Sequence, residues 1–119
     1  MLADDYPGMH PALARVLTPS CEIVGSVTEA SRILDEASRL QPDVIVLDIR
    51  MPGSNGLETC QRLKAVLPAS RIVLYSAIDD AAITRRALEA GAVDFVSKHR
   101  ITSDLLAAIQ RSVNADPTD

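Results

Sequence analysis

Short apolar segments alternate along this chain with segments of helical periodicity. Four uninterrupted apolar residues occupy positions 44–47, and a second such run occupies positions 72–75. Apolar runs of this length are typical of strands buried on both faces, as in a parallel sheet. Residues 23–27 and 93–96 are predicted to form weaker strands, and residues 1–3 a short first strand.

Between the strands, apolar residues recur at the spacing of amphipathic helices. In chain order they are Leu13, Val16 and Leu17; Ala30, Ile33, Leu34 and Ala37; Leu57, Cys60, Leu63 and Leu67; Ile83, Ala87 and Leu88; and Leu105, Leu106, Ile109 and Val113. The first helix is predicted to start near Pro7. Ser26 and Glu29 have the spacing of a capping box before the second helix, and Gly91 is placed to end the fourth.

A strand followed by a helix, repeated five times, predicts an α/β fold, a doubly wound parallel sheet with right-handed crossovers. Such sheets bind ligands outside the carboxyl ends of their strands. Polar residues fall at or just past these ends, namely Asp4 and Asp5, Asp48, Ser76 and Lys98. We therefore expect them to meet at one edge of the sheet. Three carboxylates in so small a space need a cation, or one of them must stay protonated.

Length and composition fit one globular domain. Of the 119 residues, 47% are hydrophobic and only 3% aromatic, so the predicted core is aliphatic. We expect the domain to span residues 1–114 and residues 115–119 to form a frayed tail. Lys and Arg number 12 against 16 Asp and Glu, and this net charge of −4 argues against direct contact with nucleic acid.

The same composition bears on location. No apolar stretch approaches the length of a membrane span, so we expect no membrane contact. Cys21 and Cys60 lack the spacing of a metal site and lie in apolar-periodic segments. Together with the expected absence of a secretory signal, they predict a reduced, cytoplasmic protein with two packing thiols.

Six short motifs, in this order and at these strand ends, carry a family resemblance. They are Ala3-Asp4-Asp5, Asp48-Ile49-Arg50-Met51-Pro52-Gly53, Gly56, Ser76-Ala77, Gly91-Ala92 and Phe95-Val96-Ser97-Lys98. The chain resembles the receiver domain of two-component response regulators, the CheY-like family, and is most similar to receivers of LuxR-type transcription factors. The resemblance implies the flavodoxin-like strand order 2-1-3-4-5 with five helices.

The resemblance also implies roles for the residues at the sheet edge. Asp48 matches the phosphoacceptor, and Asp5, with Asp48 and the backbone carbonyl of Arg50, matches the ligands of a Mg²⁺ ion. Asp4 matches a second acid that acts through water. Ser76 and Lys98 match the groups that contact the phosphoryl oxygens, Lys98 as a point charge.

A phosphorylation switch and its partners follow from the same resemblance. A histidine kinase or phosphotransfer protein is the implied phosphoryl donor, and Ser76 and Phe95 are the implied switch residues. The implied readout surface, which is also a possible homodimer interface, combines the helix near residues 80–90, the strand at 93–96 and the last helix. It would control a DNA-binding output domain, outside this chain, in transcription regulation.

The resemblance implies self-phosphotransfer and slow autodephosphorylation rather than turnover of a substrate. Arg50 and Ile78 occupy the positions that tune phosphate lifetime, and Ile78 cannot orient an attacking water. Three features depart from the family pattern. The first strand is shorter than usual, the sequence ends where a linker to a helix-turn-helix output domain would be expected to begin, and His99 stands where many receivers have a cis-proline. Because a non-proline cis bond costs about 2.5–4 kcal/mol, we expect a trans bond or a rearranged loop there.

Other interpretations apply to the same residues. Taken singly, Asp4, Asp5 and Ser76 are typical of helix caps or turns, Phe95 of a core position, and Lys98, Arg85 and Arg86 of a solvated surface. A receiver-like domain that docks partners constitutively, without phosphorylation, is the leading alternative function. A phosphatase of the haloacid dehalogenase type needs an acid where this chain has Arg50. A flavodoxin-like flavin module needs a Ser/Thr/Gly-rich loop where this chain has Asp-Asp-Tyr-Pro.

Overall fold

Strands and helices alternate throughout the part of the chain that the computed structural model describes, residues 1–78 and 80–114. The strands are β1 (Leu2–Ala3), β2 (Ser26–Val27), β3 (Val44–Asp48), β4 (Arg71–Ser76) and β5 (Asp94–Ser97). The helices are α1 (Met9–Leu17), α2 (Ile33–Leu40), α3 (Gly56–Val66), α4 (Ala81–Glu89) and α5 (Ile101–Asn114). Short 3-10 turns precede α2 and α5, at Ala30–Arg32 and Lys98–Arg100.

The five strands form one parallel sheet in the order β2-β1-β3-β4-β5. This confirms the predicted α/β fold and its 2-1-3-4-5 order. Asp48 lies opposite Tyr75 in the register of β3 and β4, and Ser76 lies opposite Ser97 in that of β4 and β5. The carboxyl ends of the strands therefore meet at one edge, as the sequence predicts.

Helices cover both faces of the sheet. Leu47 and Leu74 pack on the face covered by α2, α3 and α4, whereas Val46 and Tyr75 pack on the face covered by α1 and α5. Successive residues of a strand point to opposite faces, so both faces of β3 and β4 are buried. This explains the uninterrupted apolar runs of these two strands.

The second strand is much shorter than predicted. Only Ser26–Val27 is strand, whereas residues 23–25 lie outside it. β2 pairs with β1 alone, through Leu2 with Ser26 and Ala3 with Val27. Because β1 is itself only two residues long, the ladder ends there, and Val24 is 43% exposed. The expected shortness of the first strand is confirmed.

The helix ends predicted from the sequence agree only partly with the structure. The predicted Ser26–Glu29 capping box is wrong, because Ser26 belongs to β2 and Glu29 makes no side-chain capping bond. Gly91 follows α4 with a φ of +106°, and its N–H donates to the carbonyl of Leu88 at 3.1 Å, which confirms the predicted helix end. The first helix begins at Met9 rather than near Pro7, after a turn in which Met9 N–H donates to Tyr6.

The predicted frayed tail at residues 115–119 lies outside the described residues. Within the described part of the chain, no helix combines the length and the apolar character needed to cross a membrane.

Candidate functional site

Asp48 ends β3 and is almost completely buried, with 2% of its surface exposed. One carboxylate oxygen, Oδ1, accepts a hydrogen bond from the backbone N–H of Arg50 at 3.0 Å. The other, Oδ2, accepts one from Lys98 Nζ, also at 3.0 Å. Burial raises the pKa of Asp48 and nearby Asp4 adds to the rise, although the Arg50 and Lys98 hydrogen bonds oppose it. Two donors thus hold a buried carboxylate at the strand's exit.

Asp4 and Asp5 bring two further carboxylates to the same place. One oxygen from each of Asp4, Asp5 and Asp48 can be chosen such that all three lie within 4.8 Å of one another. Asp4 is fully buried, whereas Asp5 is exposed to solvent. The cluster therefore combines two buried carboxylates with one that opens toward water. Hard oxygen ligands in such an acidic pocket suit a small divalent cation.

Lys98 supplies positive charge to the two buried carboxylates. Its Nζ lies 3.0 Å from Asp48 Oδ2 and 3.5 Å from Asp4 Oδ2, and its side chain is 27% exposed. Partial burial lowers the pKa of Lys98, but hydrogen bonds and charge from Asp48 and Asp4 together raise it above its ordinary value. The Lys98 ammonium is therefore stabilised between the two buried carboxyl groups of Asp48 and Asp4.

Ser76 ends β4 and is buried beside this cluster. Its Oγ accepts a hydrogen bond from the backbone N–H of Ile78 at 3.1 Å. The hydroxyl proton can still be donated, since an alcohol has both donor and acceptor capacity. The sequence-predicted residues Asp4, Asp5, Asp48, Ser76 and Lys98 thus all lie at the carboxyl edge of the sheet.

Comparison with known proteins assigns the family. A family model described as response regulator receiver domain matches residues 1–110. The chain belongs to the response regulator receiver domains. Receiver domains of this family interact with kinases or phosphotransfer proteins in two-component signalling.

Two curated relatives illustrate the range of this family. The chain is 32% identical to a protein-glutamate methylesterase/protein-glutamine glutaminase of Thermotoga maritima, over 98% of the chain and 38% of the relative. It is also 32% identical to the nitrate/nitrite response regulator protein NarL of Escherichia coli, over 94% of the chain and 53% of the relative. The receiver thus spans about half or less of the length of these relatives.

Solved structures agree with this assignment. The response regulator domain of Thermotoga maritima CheB superposes with a TM-score of 0.85 at 31% identity, over 98% of this chain and 96% of that one. A LuxR-family response regulator from Aurantimonas sp. superposes with a TM-score of 0.88 at 26% identity, over 95% of this chain and 82% of that one. The predicted similarity to LuxR-type receivers is therefore confirmed.

The loop after β3 holds the receiver's Arg50 at the surface, next to the acidic cluster. Asp5, Arg50 and Arg86 line the same open depression. Gly56 N–H donates to the carbonyl of Ile49 at 3.0 Å, and a Cβ at Gly56 would lie 2.4 Å from Ile49 Cα. Only glycine allows the two backbone segments to approach this closely, so Gly56 fixes the path of the loop that leaves Asp48.

Phe95 lies on the face of β5 that α4 covers. It is half-buried and packs against the core of that face. Ser76 points to the same face, because its register partner Ser97 is two residues beyond Phe95. The two predicted switch residues thus share one side of the sheet.

The residue after Lys98 adopts an ordinary peptide geometry. No cis peptide bond occurs among the described residues, so the bond before His99 is trans, as predicted. Lys98, His99 and Arg100 form a 3-10 turn, which Ser97 Oγ caps by accepting from His99 N–H at 3.2 Å. The turn presents Lys98 toward Asp48 without a proline.

Sequence reasoning missed two residues of this site. Tyr75 is fully buried, and its hydroxyl donates to Asp4 Oδ2. Burial is the main cause that raises the pKa of Tyr75, and the hydrogen bond to Asp4 raises it further. His10 Nε2 donates to the backbone carbonyl of Asp4 at 2.8 Å. Tyr75 carried a usable signal, because a tyrosine within a fully buried strand needs a partner for its hydroxyl. His10 carried none.

Proposed function

We propose that this receiver domain takes a phosphoryl group onto Asp48 from a histidine kinase or phosphotransfer protein, with Mg²⁺ bound beside it. The observation that supports this most strongly is the arrangement around Asp48. Its carboxylate is held by Arg50 N–H and Lys98 Nζ, and it lies within 4.8 Å of two further carboxylates. A helix cap or an ordinary surface pair does not need this combination of groups.

The residues present suit a magnesium ion. Asp5 and Asp48 would ligate it directly together with the backbone carbonyl of Arg50, and Asp4 would act through a water molecule. Mg²⁺ keeps several waters and binds through one or two carboxylates in phosphoryl-transfer sites, which suits one exposed and two buried acids. When bound, the ion neutralises charge on the carboxylates and on the phosphoryl oxygens.

The chain's own residues would perform the transfer as follows. An Asp48 carboxylate oxygen forms a bond to phosphorus while the bond between phosphorus and the donor breaks, and the donor keeps that electron pair. Lys98 pairs with one phosphoryl oxygen as a point charge, and the Ser76 hydroxyl donates to another. Because phosphoryl transfer depends mainly on positioning and charge stabilisation, these groups, together with a bound cation, would support acceptance without substrate turnover.

The switch would follow from the new charge on Asp48. A phosphoryl group adds negative charge and strong acceptors, and it would draw the Ser76 hydroxyl toward itself. Phe95, on the same face, would then turn into the vacated space and change the surface formed by α4, β5 and α5. A second receiver could bind this surface, and the LuxR-type likeness suggests that the change controls a DNA-binding output domain.

The phosphorylated state would be long-lived. Arg50 is exposed beside Asp48, and Ile78 is half-buried next to Ser76. An isoleucine side chain cannot orient a water for attack on the phosphoryl group. Self-dephosphorylation should therefore be slow, and a half-life of seconds for radiolabelled protein would contradict this.

Incubation with acetyl phosphate and Mg²⁺ tests the proposal. Intact-protein mass spectrometry should show one added phosphoryl group, and the Asp48→Asn variant should show none. Beryllofluoride, a phosphoryl mimic, should bind the wild type and not the variant. Absence of an Asp48-dependent adduct from both reagents would refute phosphoryl acceptance.

Constitutive docking without phosphorylation remains the second candidate, and one observation favours it. Asp5 follows a strand of only two residues, and it is exposed rather than held by the core. If Asp5 is poorly fixed in solution, Mg²⁺ should bind weakly. Calorimetric titration discriminates between the candidates, since affinity lost on Asp5→Asn substitution supports the phosphoacceptor and an unchanged weak affinity supports docking.

A further inference from the structure

Tyr75 contacts two charged residues of the acidic site. Its hydroxyl donates to Asp4 Oδ2, and the ammonium of Lys98 lies 5.3 Å from the centre of its ring. Lys98 in turn contacts Asp48. The buried side chain of Tyr75 therefore contacts both Asp4 and Lys98.

Asp4 depends on a small set of donors for its orientation. It is fully buried. Its Oδ1 accepts from the backbone N–H of Tyr6 at 2.8 Å, and its Oδ2 accepts from the Tyr75 hydroxyl, with Lys98 Nζ at 3.5 Å. The Tyr6 N–H lies on the adjoining loop, whereas the Tyr75 hydroxyl belongs to the interior of the sheet. The Asp4 backbone N–H is bound to the carbonyl of Val27 in β2 at 3.1 Å, whereas the Asp4 carboxylate is tied to the interior of the sheet through Tyr75.

We propose that Tyr75 is a positioning residue for the Mg²⁺ site, acting through Asp4, and this rests on the proposed function above. Groups that hydrogen-bond to the ligands of a metal fix the orientation of those ligands, and losing one typically costs about 10–100-fold in affinity. The proposed action of Asp4 through water would depend on the direction in which its carboxylate points, which the Tyr75 hydroxyl helps to set. Among the contacts described, Lys98 is the other side chain near Asp4 Oδ2. Without the Tyr75 hydroxyl, Lys98 would be drawn toward Asp4 and away from Asp48.

The Tyr75→Phe variant tests this role with little change to packing. It keeps the ring beneath Lys98 and the volume in the core, and it removes only the hydroxyl. The Mg²⁺ dissociation constant, measured by calorimetry, should rise about tenfold. Tyr6→Phe is the matched control, because it keeps the backbone N–H that donates to Asp4 and removes only a hydroxyl from a side chain that is 65% exposed. The control should bind Mg²⁺ as the wild type does.

A double-mutant cycle separates positioning from a general loss of stability. If Tyr75 acts through Asp4, Tyr75→Phe should change Mg²⁺ affinity in the wild type but not in an Asp4→Asn background. A merely structural role would lower affinity by the same factor in both backgrounds, and that result would overturn the inference. Circular dichroism checks that all four proteins are folded before titration.

Tyrosine fluorescence supplies a second readout that needs no phosphoryl donor. The chain contains two tyrosines and no tryptophan, so in the Tyr6→Phe variant all emission comes from Tyr75. Mg²⁺ should change this emission with the dissociation constant found by calorimetry. No change at saturating Mg²⁺ would contradict the proposed coupling.

The outcomes distinguish this inference from the function on which it rests. Phosphorylation of Asp48 together with Mg²⁺ affinity that is insensitive to Tyr75→Phe would overturn only the role of Tyr75. Mg²⁺ affinity that falls in Tyr75→Phe without any phosphorylation of the wild type would overturn only phosphoryl acceptance. A wild type that binds no Mg²⁺ would overturn both.

Discussion

Lys98 Nζ lies 3.0 Å from Asp48 Oδ2, although the two residues leave different strands with β4 between them. The same ammonium lies 3.5 Å from Asp4 Oδ2. Both carboxylates are buried, and Lys98 is the ammonium shown in contact with them. Removing the Lys98 ammonium should therefore change the stability of the fold as well as the chemistry of the site.

Replacing Lys98 by methionine should lower the free energy of unfolding by about 1–3 kcal/mol, since buried acceptors lose their charged donor. Without the ammonium, the already raised pKa of Asp48 rises further. An acid whose folded pKa lies above its unfolded value weakens the fold when ionised. The loss should therefore shrink as the pH falls toward 3.8, the ordinary pKa of Asp.

Urea denaturation of Lys98→Met at several pH values measures this effect. Arg39→Met is the control, because it removes one cation from the exposed pair with Glu36 and should hardly change stability. Added Mg²⁺ should restore part of the stability that Lys98→Met loses. A loss that is the same at neutral and acidic pH would contradict the assigned role of the ammonium.

Two glycines in the loop after Asp48 should respond differently to substitution. Gly56→Ala places a Cβ 2.4 Å from Ile49 Cα, and the backbone must move, which should cost about 3 kcal/mol. Gly53 has a φ of +79° and no atom lies within 4 Å of the position that an added Cβ would take, so Gly53→Ala should cost only about 1 kcal/mol.

Asparagine variants distinguish the positive φ at Gly53 from the close backbone approach at Gly56. Because asparagine tolerates positive φ, Gly53→Asn should be closer to the wild type than Gly53→Ala. Gly56→Asn should be at least as damaging as Gly56→Ala. Thermal unfolding followed by circular dichroism measures all four, and equal losses at both positions would show that close approach is not the constraint at Gly56.

The two thiols should differ sharply in reactivity. Cys60 is fully buried, and burial raises its pKa to about 11, so almost none is thiolate near neutral pH. Cys21 is only half-buried. A chromogenic disulfide reagent at pH 8 should modify one thiol quickly and the second only after urea is added.

Single serine variants assign these thiols. Cys21→Ser should abolish the fast reaction, whereas Cys60→Ser should leave it intact. Fast modification of the Cys21→Ser protein in the absence of denaturant would show that Cys60 is accessible. Circular dichroism of Cys60→Ser should confirm that the variant is folded.

Phosphate lifetime should depend on Ile78. An asparagine at this position can orient a water beside Ser76, so Ile78→Asn should shorten the lifetime of the aspartyl phosphate about tenfold, which corresponds to about 1.4 kcal/mol in the barrier. Release of radiolabelled phosphate after removal of the donor measures the rate. Ile78→Val, which stays apolar, should keep the wild-type lifetime, and acceleration in both variants would point to a packing effect.

The sequence predicted the sheet and its polar edge because these depend on local patterns. The runs at positions 44–47 and 72–75 are apolar throughout, and only strands covered on both faces require that. A polar residue that directly follows such a run must lie at the strand's exit. Asp48 and Ser76 were therefore placed correctly without knowledge of any contact.

Features that depend on distant pairing escaped prediction. The length of β2 is limited by β1, which lies far away in sequence, so the apolar character of residues 23–25 was misleading. The contact between Tyr75 and Asp4 depends on the register of β4 relative to β1, with β3 between them. The capping box failed for a similar reason, because pairing with Leu2 draws Ser26 into a strand.

The two-residue β1 has a dynamic consequence. It joins β2 to the rest of the sheet, and its register with each neighbour spans only Leu2 and Ala3. Local opening costs least where few backbone bonds must break, so amide protons of β1 and β2 should exchange with solvent well before those of β3 and β4. Asp4 and Asp5 follow this two-residue strand directly. A cation bound by these two residues and Asp48 would slow amide exchange in β1. Cation occupancy and local opening of the sheet would therefore be coupled.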